Sequence, residues 1–447
     1  MKQMMPIRSV ANNNKISGFT RIFILLSGFL LFVSSLSYGQ QEEKVVPDGT
    51  EGEVHIITET DSLSSKKKTT QWNEFDFGFT TFKLGVGFLY DFATHSQDDI
   101  GKQQADSANI VLEPTFKTRD FRFIASGRFN TKRTLTWKAG LMYDGVSGEW
   151  LVRETGLIIG VPELAGHLFI GRTKEGFSLN KVMNGYAGLT MERQIALDVI
   201  PILGDGIKWF GFLPKSRVFW NLGVFADWFS EGQGFSTFST QYAARVGWLP
   251  IYDPSIKKVL HLGASYRYGV PLNGEIRLKS RPESNNTPLF IDTGVFASDH
   301  SNHIGGEIYY SKGPLLLGSE FYFHSFSSVE ANDPTFFGGE LMFAYMLTGE
   351  SKPYNPNGGN IYGFAPVDKP VLNGGWGAWE VVLRLSTLDL TEGNLKGGEF
   401  WRITPMVNWY MSKYLRLELA YGYGILDRYQ LEGATHFFQS RIQFAIL

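Results

Sequence analysis

The residues best suited to bind a small ligand are basic side chains gathered in one short segment. They are Arg172, Lys174, Lys181 and Arg193. They outnumber the acids of the same segment, Glu175 and Glu192. Arginine binds an oxyanion as a planar fork and lysine binds it as a point charge, and both interactions gain strength where water is partly excluded. The segment could therefore hold an anion, or its charges could pin it to a neighbouring surface.

Catalytic and metal-binding motifs are poorly supported. The sequence contains no cysteine and lacks G-x-S-x-G, H-E-x-x-H and the P-loop, which argues against thiol, serine, zinc and nucleotide chemistry. His300 and His303 have the spacing of half a metal site, but they lie in a Ser/Asp/Asn-rich stretch without an evident third ligand, so a surface pair is the simpler interpretation. We expect no metal, no cofactor and no enzymatic activity. A formal charge of -2 also offers no basic excess for binding nucleic acid.

The first 39 residues have the features of a secretory signal peptide. Four basic residues and no acid surround an apolar run over residues 22–33, and small residues follow it. The run is shorter than the roughly 20 residues that a membrane-spanning helix needs, so we predict cleavage after Gly39 rather than a permanent anchor. Residues 40–71 are polar, contain the run Lys66-Lys67-Lys68 and show no sustained period, which predicts a flexible leader.

Beyond Trp72 the pattern alternates with a period of two, which is the period of a β-strand. One run puts Leu135, Trp137, Ala139, Leu141 and Tyr143 on one face. Similar runs recur at residues 260–268, 341–347, 415–423 and 438–446. Many runs are about ten residues long and rich in aromatic residues at their ends, as in membrane-spanning strands with interfacial girdles. Open sheet edges are not tolerated in lipid, so residues 72–447 are predicted to form an all-β antiparallel barrel of about 16 strands around a water-filled lumen.

If the apolar faces meet lipid, the opposite faces line the lumen and carry charge. The bases on these faces are Lys83, Arg122, Arg128, Lys138, Arg267, Arg384, Arg416 and Arg441. The acids are Asp91, Asp144, Glu307, Glu320, Glu340, Glu380 and Glu418. This near balance does not itself make an anion filter. Because bases prevail in the first half and acids in the second, the walls could set up a field across the pore, or the charges could pair and stiffen the wall.

Two polar segments interrupt the strand pattern in the second half of the chain. Ser280 to Pro288 and Ser351 to Leu372 are rich in glycine, asparagine and proline, and we predict that both are outward loops.

Two blocks of motifs resemble the phosphate-selective porin O and P family. The first is Gly171-Arg172-Thr173-Lys174-Glu175-Gly176-Phe177-Ser178-Leu179, followed by Met191-Glu192-Arg193. The second runs from Gly377-Ala378-Trp379-Glu380 through Arg384-Leu385-Ser386, Leu388-Asp389-Leu390 and Gly397-Gly398 to Asn408-Trp409-Tyr410. The final residues 439–444 are also similar to that family.

The resemblance implies a sixteen-stranded, trimeric porin of a Gram-negative outer membrane, with an inward-folded loop that narrows the channel. We place that constriction at residues 172–193. The predicted function is passive diffusion of small polar or anionic solutes, with phosphate and polyphosphate as candidates. The alternatives are a structural or assembly barrel without an open channel and, less favoured, a hydrolase embedded in a barrel.

Overall fold

The computed structural model describes residues 72–228, 238–356 and 361–447. The predicted signal peptide and leader therefore lie outside the described residues. In the part of the chain that is described, no helix has both the length and the apolar character needed to cross a membrane.

Strands account for most of the described residues, as the alternating pattern predicts. The strands are β1 (Glu74–Asp76), β2 (Thr81–Gln97), β3 (Thr115–Arg128), β4 (Leu135–Asp144), β5 (Glu149–Val152), β6 (Thr155–Val161), β7 (Gly166–Thr173), β8 (Gly204–Leu213), β9 (Val218–Ala226), β10 (Phe238–Asp253), β11 (Lys258–Pro271), β12 (Glu275–Ser280), β13 (Ile291–Ala297), β14 (His300–Lys312), β15 (Leu315–Ser327), β16 (Thr335–Met346), β17 (Tyr354–Asn355), β18 (Ile361–Tyr362), β19 (Ala378–Glu392), β20 (Leu395–Tyr410), β21 (Leu415–Arg428) and β22 (Leu431–Ile446). The α-helices are α1 (Asp99–Ser107) and α2 (Leu179–Val182), and single 3₁₀ turns cover Pro162–Leu164, Gly185–Ala187, Ile195–Leu197, Leu272–Gly274 and Val371–Asn373.

The main sheet is a closed antiparallel barrel of 16 strands, which confirms the predicted fold. Each wall strand pairs with the next wall strand along the chain, so β11 pairs with β14 and β16 with β19, while β12–β13 and β17–β18 form separate two-stranded sheets. The last strand, β22, returns to pair with β2, from Val86 opposite Ile446 to Gln97 opposite Thr435. The short strands β5 and β6 both pair with β4, so together they count as one strand of the barrel, which is interrupted at Arg153 and Glu154. Closure gives the backbone of the first and last strands partners, as lipid requires.

The two faces of the strands separate as the alternation predicts. In β21, Leu419 and Tyr421 are exposed on the outer face. The residues of the other parity, Arg416, Glu418 and Ala420, are buried on the inner face. On the outer face near the ends of β19 and β20, Trp379 and Trp409 stack with ring centroids 5.1 Å apart. Aromatic pairs at strand ends are typical of the girdles at a membrane interface.

Connection length distinguishes the two ends of the barrel. At the end that holds the first residues of β2 and the last of β22, several connections are short, such as residues 214–217 and 313–314. The same end has one long connection, residues 347–377 between β16 and β19. The opposite end carries long connections at residues 174–203 between β7 and β8 and residues 272–299 between β11 and β14. Outer-membrane barrels have short periplasmic turns and longer external loops, so the end with the termini is the periplasmic one.

The prediction that Ser280 to Pro288 is an outward loop was wrong. The guanidinium of Arg402 donates to the carbonyl of Pro282, the Arg384 guanidinium lies 2.6 Å from a carboxylate oxygen of Glu283, and the amide of Asn286 donates to the carbonyl of Asp91 at 3.2 Å. The segment therefore folds into the lumen. Its polar composition suggested exposure, but the lumen wall is itself polar and offers the same partners as water.

The segment Ser351 to Leu372 also differs from the prediction. It belongs to the periplasmic connection between β16 and β19, and its described part reaches back into the lumen. The hydroxyl of Tyr354 lies 2.7 Å from Nδ1 of His261, and the hydroxyl of Tyr362 donates to Ser311 at 3.1 Å. Phe364 packs against Leu89 at the wall. A polar, proline-containing sequence again does not distinguish a lumen insertion from an outward loop.

A charge pair bridges the seam between the first and last wall strands. Asp91 and Arg441 face each other in register, and Nε and Nη2 of Arg441 donate to the two carboxylate oxygens of Asp91 at 2.6 Å each. Nη2 also pairs with Glu192. Both side chains of the seam pair are at most one-tenth exposed. Bidentate pairs of this kind are strong when formed and costly when only one partner is removed.

We predict that Arg441→Met lowers the free energy of unfolding by about 3 to 5 kcal/mol, because it leaves the carboxylate of Asp91 buried without its cation and leaves Glu192 with Arg119 alone. Denaturant unfolding of the folded protein in detergent measures the effect. Arg133→Met is the control, since Arg133 and Glu163 form an exposed pair 2.6 Å apart whose loss should cost about 0 to 1 kcal/mol. Equal losses for the two variants would contradict this account of the seam.

Candidate functional site in the barrel lumen

The connection between β7 and β8, residues 174–203, is the main structure inside the barrel; we refer to it as the β7–β8 loop. It contains α2 and two 3₁₀ turns, and it makes hydrogen bonds to strands on several sides of the lumen. Phe177, Leu179 and Ile195 are buried with side chains of the wall. The loop therefore occupies part of the space that the strands enclose.

A row of three acids on the wall receives the first turn of this loop. Glu307, Glu320 and Glu340 lie directly opposite one another on β14, β15 and β16. Like charges in register normally destabilise a sheet. Here the backbone N–H of Leu179 donates to Glu307 at 2.7 Å and that of Asn180 donates to Glu320 at 2.7 Å. These donors are the unpaired amides at the start of α2, whose positive end favours carboxylates.

Side chains complete the environment of the acidic row. Ser178 and Tyr309 donate their hydroxyl groups to Glu320, each at 2.5 Å. The amide of Asn180 donates to Glu340 at 2.9 Å. Arg245 lies 2.7 Å from Glu307 and is fully buried. The row is therefore a docking site for the loop rather than a set of carboxylates facing an aqueous pore.

Basic residues on β3, β19 and β21 hold the other half of the loop. Nε and Nη2 of Arg119 donate to the two carboxylate oxygens of Glu192 at 3.0 and 3.2 Å. Nη1 of Arg416 donates to the carbonyl of Gly188 at 2.7 Å, and Nη1 of Arg384 donates to Thr190 at 2.8 Å. The loop thus presents amide donors to the acidic wall and acceptors to the basic wall.

Two of the predicted lysines serve inside the loop itself. Nζ of Lys181 lies 3.0 Å from Glu175, which also pairs with Nε of Arg267 at 2.9 Å. Burial lowers the pKa of Lys181 to about 8, although Glu175 opposes that shift. Nζ of Lys174 donates to the carbonyls of Val182 and Met183. Burial, with repulsion from Arg193, holds the pKa of Lys174 well below its usual range.

A cavity lies between the loop and the wall formed by β2, β3 and β22; we call it the arginine cavity. Its charged lining residues are Arg119, Arg122, Arg193, Arg441, Asp120 and Glu192. A methyl group on Gly185 would lie 3.9 Å from both terminal nitrogens of Arg122 and 4.0 Å from Nη2 of Arg193, so two guanidinium groups converge there. Burial and repulsion from Arg122 lower the pKa of Arg193 to about 10. Such a pocket can attract a small anion.

The acids of the cavity are already engaged. Asp120 lies 2.5 Å from Nη2 of Arg122 and accepts the hydroxyl of Tyr186 at 2.6 Å. The guanidinium of Arg122 also lies over the Tyr186 ring, 4.8 Å from its centroid. Arg193, in contrast, donates to the carbonyls of Asn180 and Met183, each at 3.1 Å. Backbone carbonyls, rather than a carboxylate in direct contact, orient this cation.

The remaining predicted lumen bases lie elsewhere. Arg172 pairs with Asp205 at 2.9 Å, and the register puts both residues on the face shared with the exposed Ile170 and Ile207 rather than on the lumen face. Lys138 pairs with Glu154 at 2.8 Å, away from the cavity lining. Lys83 donates to the carbonyl of the last residue at 3.0 Å. For Arg128, the described contact is the backbone N–H to the hydroxyl of Thr81.

Several charged lumen residues were missed by the sequence analysis. Arg119 lies at a register shift, where Leu89 and Tyr90 face Asp120 and Thr118, so strict alternation misplaces it. Arg153 lies at the break between β5 and β6. Arg245 and Arg402 lie on regular strands, and an alternation count through β10 and β20 would have found them.

The two histidines expected to form a surface pair are both in β14 and lie on opposite faces of the sheet. His303 is fully buried, and its Nδ1 lies 2.8 Å from Nδ1 of His324 on β15. His300 instead stacks on Tyr268, with ring centroids 5.4 Å apart. The Ser/Asp/Asn-rich sequence suggested a loop, but the strand begins at His300 itself.

Comparisons with known proteins agree with this architecture. The model of the family described as phosphate-selective porin O and P matches residues 82–446. The anion-selective porin from Comamonas acidovorans is 11% identical, with a TM-score of 0.50 over 82% of this chain and 100% of that chain. The outer membrane channel DcaP of Acinetobacter baumannii is 9% identical, with a TM-score of 0.51 over 83% and 99% of the two chains. At these identities the likeness shows the fold alone.

One curated relative matches part of the sequence. An uncharacterized protein of Caulobacter vibrioides is 32% identical over 191 residues, which is 41% of this chain and 37% of that protein. The match therefore spans little more than a third of the relative's length.

We predict that acid loosens the β7–β8 loop through Glu192. Burial alone would raise the pKa of this carboxyl group, but Arg119 and Arg441 lower it from 4.5 to about 2. Its ionised form therefore contributes on the order of 3 kcal/mol above about pH 4.5, and that contribution is lost as the pH falls towards 2. Single-channel recordings between pH 6 and pH 2.5 should show growing current noise. Glu192→Gln should be noisy already at pH 6 and change less with pH; an identical pH response in both proteins would contradict this role.

Proposed function

Because this chain belongs to the phosphate-selective porin O and P family, we propose that it is an outer-membrane porin through which small polar solutes diffuse passively. The closed barrel with an apolar outer face and a charged lumen supports this function. We further propose that anions pass more readily than cations. The observation that carries this preference is the convergence of Arg122 and Arg193 in the arginine cavity.

The charge of the cavity lining favours anions more than the whole lumen does. Along the barrel strands, acids and bases nearly balance, and many pair with each other or with the β7–β8 loop. In the described part of the chain, no carboxylate forms an ion pair with Arg193. A solute that reaches Gly185 therefore meets two guanidinium groups, that of Arg122, which is paired with Asp120, and that of Arg193, which donates to backbone carbonyls. In a confined site with fewer waters, each contributes more than it would in bulk solvent.

The size of the solute is limited by the insertions that share the lumen. Besides the β7–β8 loop, residues around Glu283 and around Tyr362 contact inward-facing side chains. We propose that these segments together form the constriction. The same contacts favour a second function, a barrel that opens no channel. Discrete conductance steps from the purified protein in a planar bilayer would support the porin, and their absence at all voltages would support the closed barrel.

The proposal also covers how the protein is exported and how it assembles. The protein is made with a signal peptide that is removed after Gly39, and the porin assembles as a homotrimer, as the family resemblance implies. Passage through the channel requires no covalent step, so no enzymatic activity is proposed. Intact mass of protein isolated from outer membranes tests the cleavage site, and chemical crosslinking before extraction tests the trimer.

We predict that Arg122→Gln together with Arg193→Gln lowers the anion-to-cation permeability ratio, measured from the reversal potential in a potassium chloride gradient. If each guanidinium contributes about 1 kcal/mol to holding a chloride ion in the cavity, each loss changes the ratio roughly fivefold. Arg133→Gln, at an exposed periplasmic turn, is the matched control and should leave the ratio unchanged. Cation preference in the unmodified protein would reject the anion preference, and an unchanged ratio in the double variant would reject this cavity as its source.

A further inference from the structure

The residues just before the barrel form a small hairpin with unusually exposed aromatic rings. We call residues 72–80 the aromatic hairpin. Trp72, Phe75, Phe77 and Phe79 are exposed by 72%, 51%, 61% and 69%. Single exposed apolar residues are ordinary, but here four exposed rings occur within residues 72–79, and two of them, Phe75 and Phe77, lie beside the same ring of Phe82. Such a group marks an interaction surface.

The hairpin is held firmly against the barrel. Its strand β1 pairs with the start of β2, with Glu74 opposite Lys83 and Asp76 opposite Thr81. The backbone N–H of Leu84 donates to the carbonyl of Asn73 at 3.0 Å, and the side-chain amide of Asn73 donates to the carbonyl of Leu84 at 2.7 Å. Such contacts fix the rings in the exposed position. Their exposure is therefore a property of the folded structure.

The other side of the hairpin is tied to the neighbouring periplasmic turn. The backbone N–H of Asn130 donates to the carbonyl of Phe79 at 2.8 Å, and its side chain donates to the carbonyl of Gly78 at 3.1 Å. The indole N–H of Trp137 donates to the hydroxyl of Thr80 at 3.0 Å. The hairpin therefore bridges β2 and the β3–β4 turn.

Two of the exposed rings, Phe75 and Phe77, continue the outer face of the barrel. Phe75 faces Phe82 across β1 and β2, with ring centroids 6.4 Å apart, and Phe77 lies 6.5 Å from the same ring. Phe82 lies on the outward face of β2, in line with the exposed Leu84 and Tyr90. The acids Glu74 and Asp76 alternate with the rings and belong to the other face of the hairpin.

Strand geometry places the hairpin at the edge of the membrane. At about 3.3 Å per residue and a tilt of about 45°, the stretch of β2 from Phe82 to Phe92 covers roughly 23 Å, close to the apolar band of about 25 Å that outer-membrane barrels present. Phe75 lies level with Phe82, at the periplasmic end of this band, and Phe77 lies two residues further along the hairpin on the periplasmic side. Their level is that of the lipid headgroups, where aromatic rings are favoured.

We propose that the aromatic hairpin is a lipid-binding surface that anchors the periplasmic end of the barrel in the headgroup region of the inner leaflet. The occupant is lipid rather than a second protein, because the rings continue the lipid-facing surface without a break. This inference depends on the barrel lying in a membrane and not on the solute that it conducts.

Site-directed labelling tests the proposal on the full-length protein, which has no native cysteine. An environment-sensitive fluorophore is attached to Phe77→Cys in protein reconstituted into phosphatidylethanolamine and phosphatidylglycerol vesicles. Glu74→Cys, on the other face of β1, and Lys132→Cys, on the exposed β3–β4 turn, are the matched controls. We expect headgroup-attached nitroxide lipids to quench the label at position 77 several-fold more than the labels at 74 and 132, and aqueous iodide to show the reverse order.

Two results would overturn the proposal. Iodide quenching at position 77 equal to that at position 132 would place the hairpin in water. Protection from both iodide and nitroxide lipid would place a protein on it, either a second copy or another partner. The ring of Phe77 contacts another ring only at the surface, so its replacement should not prevent folding. Unchanged single-channel conductance of the labelled protein verifies that the barrel has folded. A label at Phe75→Cys should behave as the label at position 77 does.

Discussion

Charge compensation in a confined space governs the interior of this barrel. The strand period sends glutamates and arginines inward, beside buried apolar side chains of the wall and the β7–β8 loop, where a charge needs a partner. The in-register acids Glu307, Glu320 and Glu340 would repel one another on an open wall. They are stable because the β7–β8 loop supplies the amides of Leu179 and Asn180 in the right places. The wall and the loop are therefore one electrostatic unit, and neither can be understood alone.

This unit also determines where a solute can be recognised. Most charged side chains of the lumen already have partners within the protein. Lys181 pairs with Glu175, and Arg416 donates to the carbonyl of Gly188. The bases that we propose remain for a solute are the few that backbone carbonyls orient, chiefly Arg193 beside Arg122. A count of charges along the strands gives a near balance and so conceals this local excess. Selectivity in such a pore depends on the charges that are left over after folding.

The sequence was sufficient to predict the fold because alternation over long strands has a direct physical cause, the two environments of a membrane barrel. It predicted the inward faces of regular strands such as β21, and it identified the segment that holds Lys181 and Arg193. It failed where the period breaks, at the register shift beside Arg119 and at the interruption that holds Arg153. It also failed for polar insertions such as the one at Glu283, since polarity does not say whether water or a lumen wall is the partner.

The pairing of β2 with β22 has a consequence for how the molecule is made. Asp91 and Arg441 meet across nearly the entire length of the chain, so the first wall strand must wait for the last one to be synthesised. Contacts between residues so distant in sequence form slowly and leave strand edges bare in the meantime. The nascent polypeptide must therefore be kept from aggregating until β22 has been synthesised, and a premature stop codon before that strand would leave a ring that cannot shut.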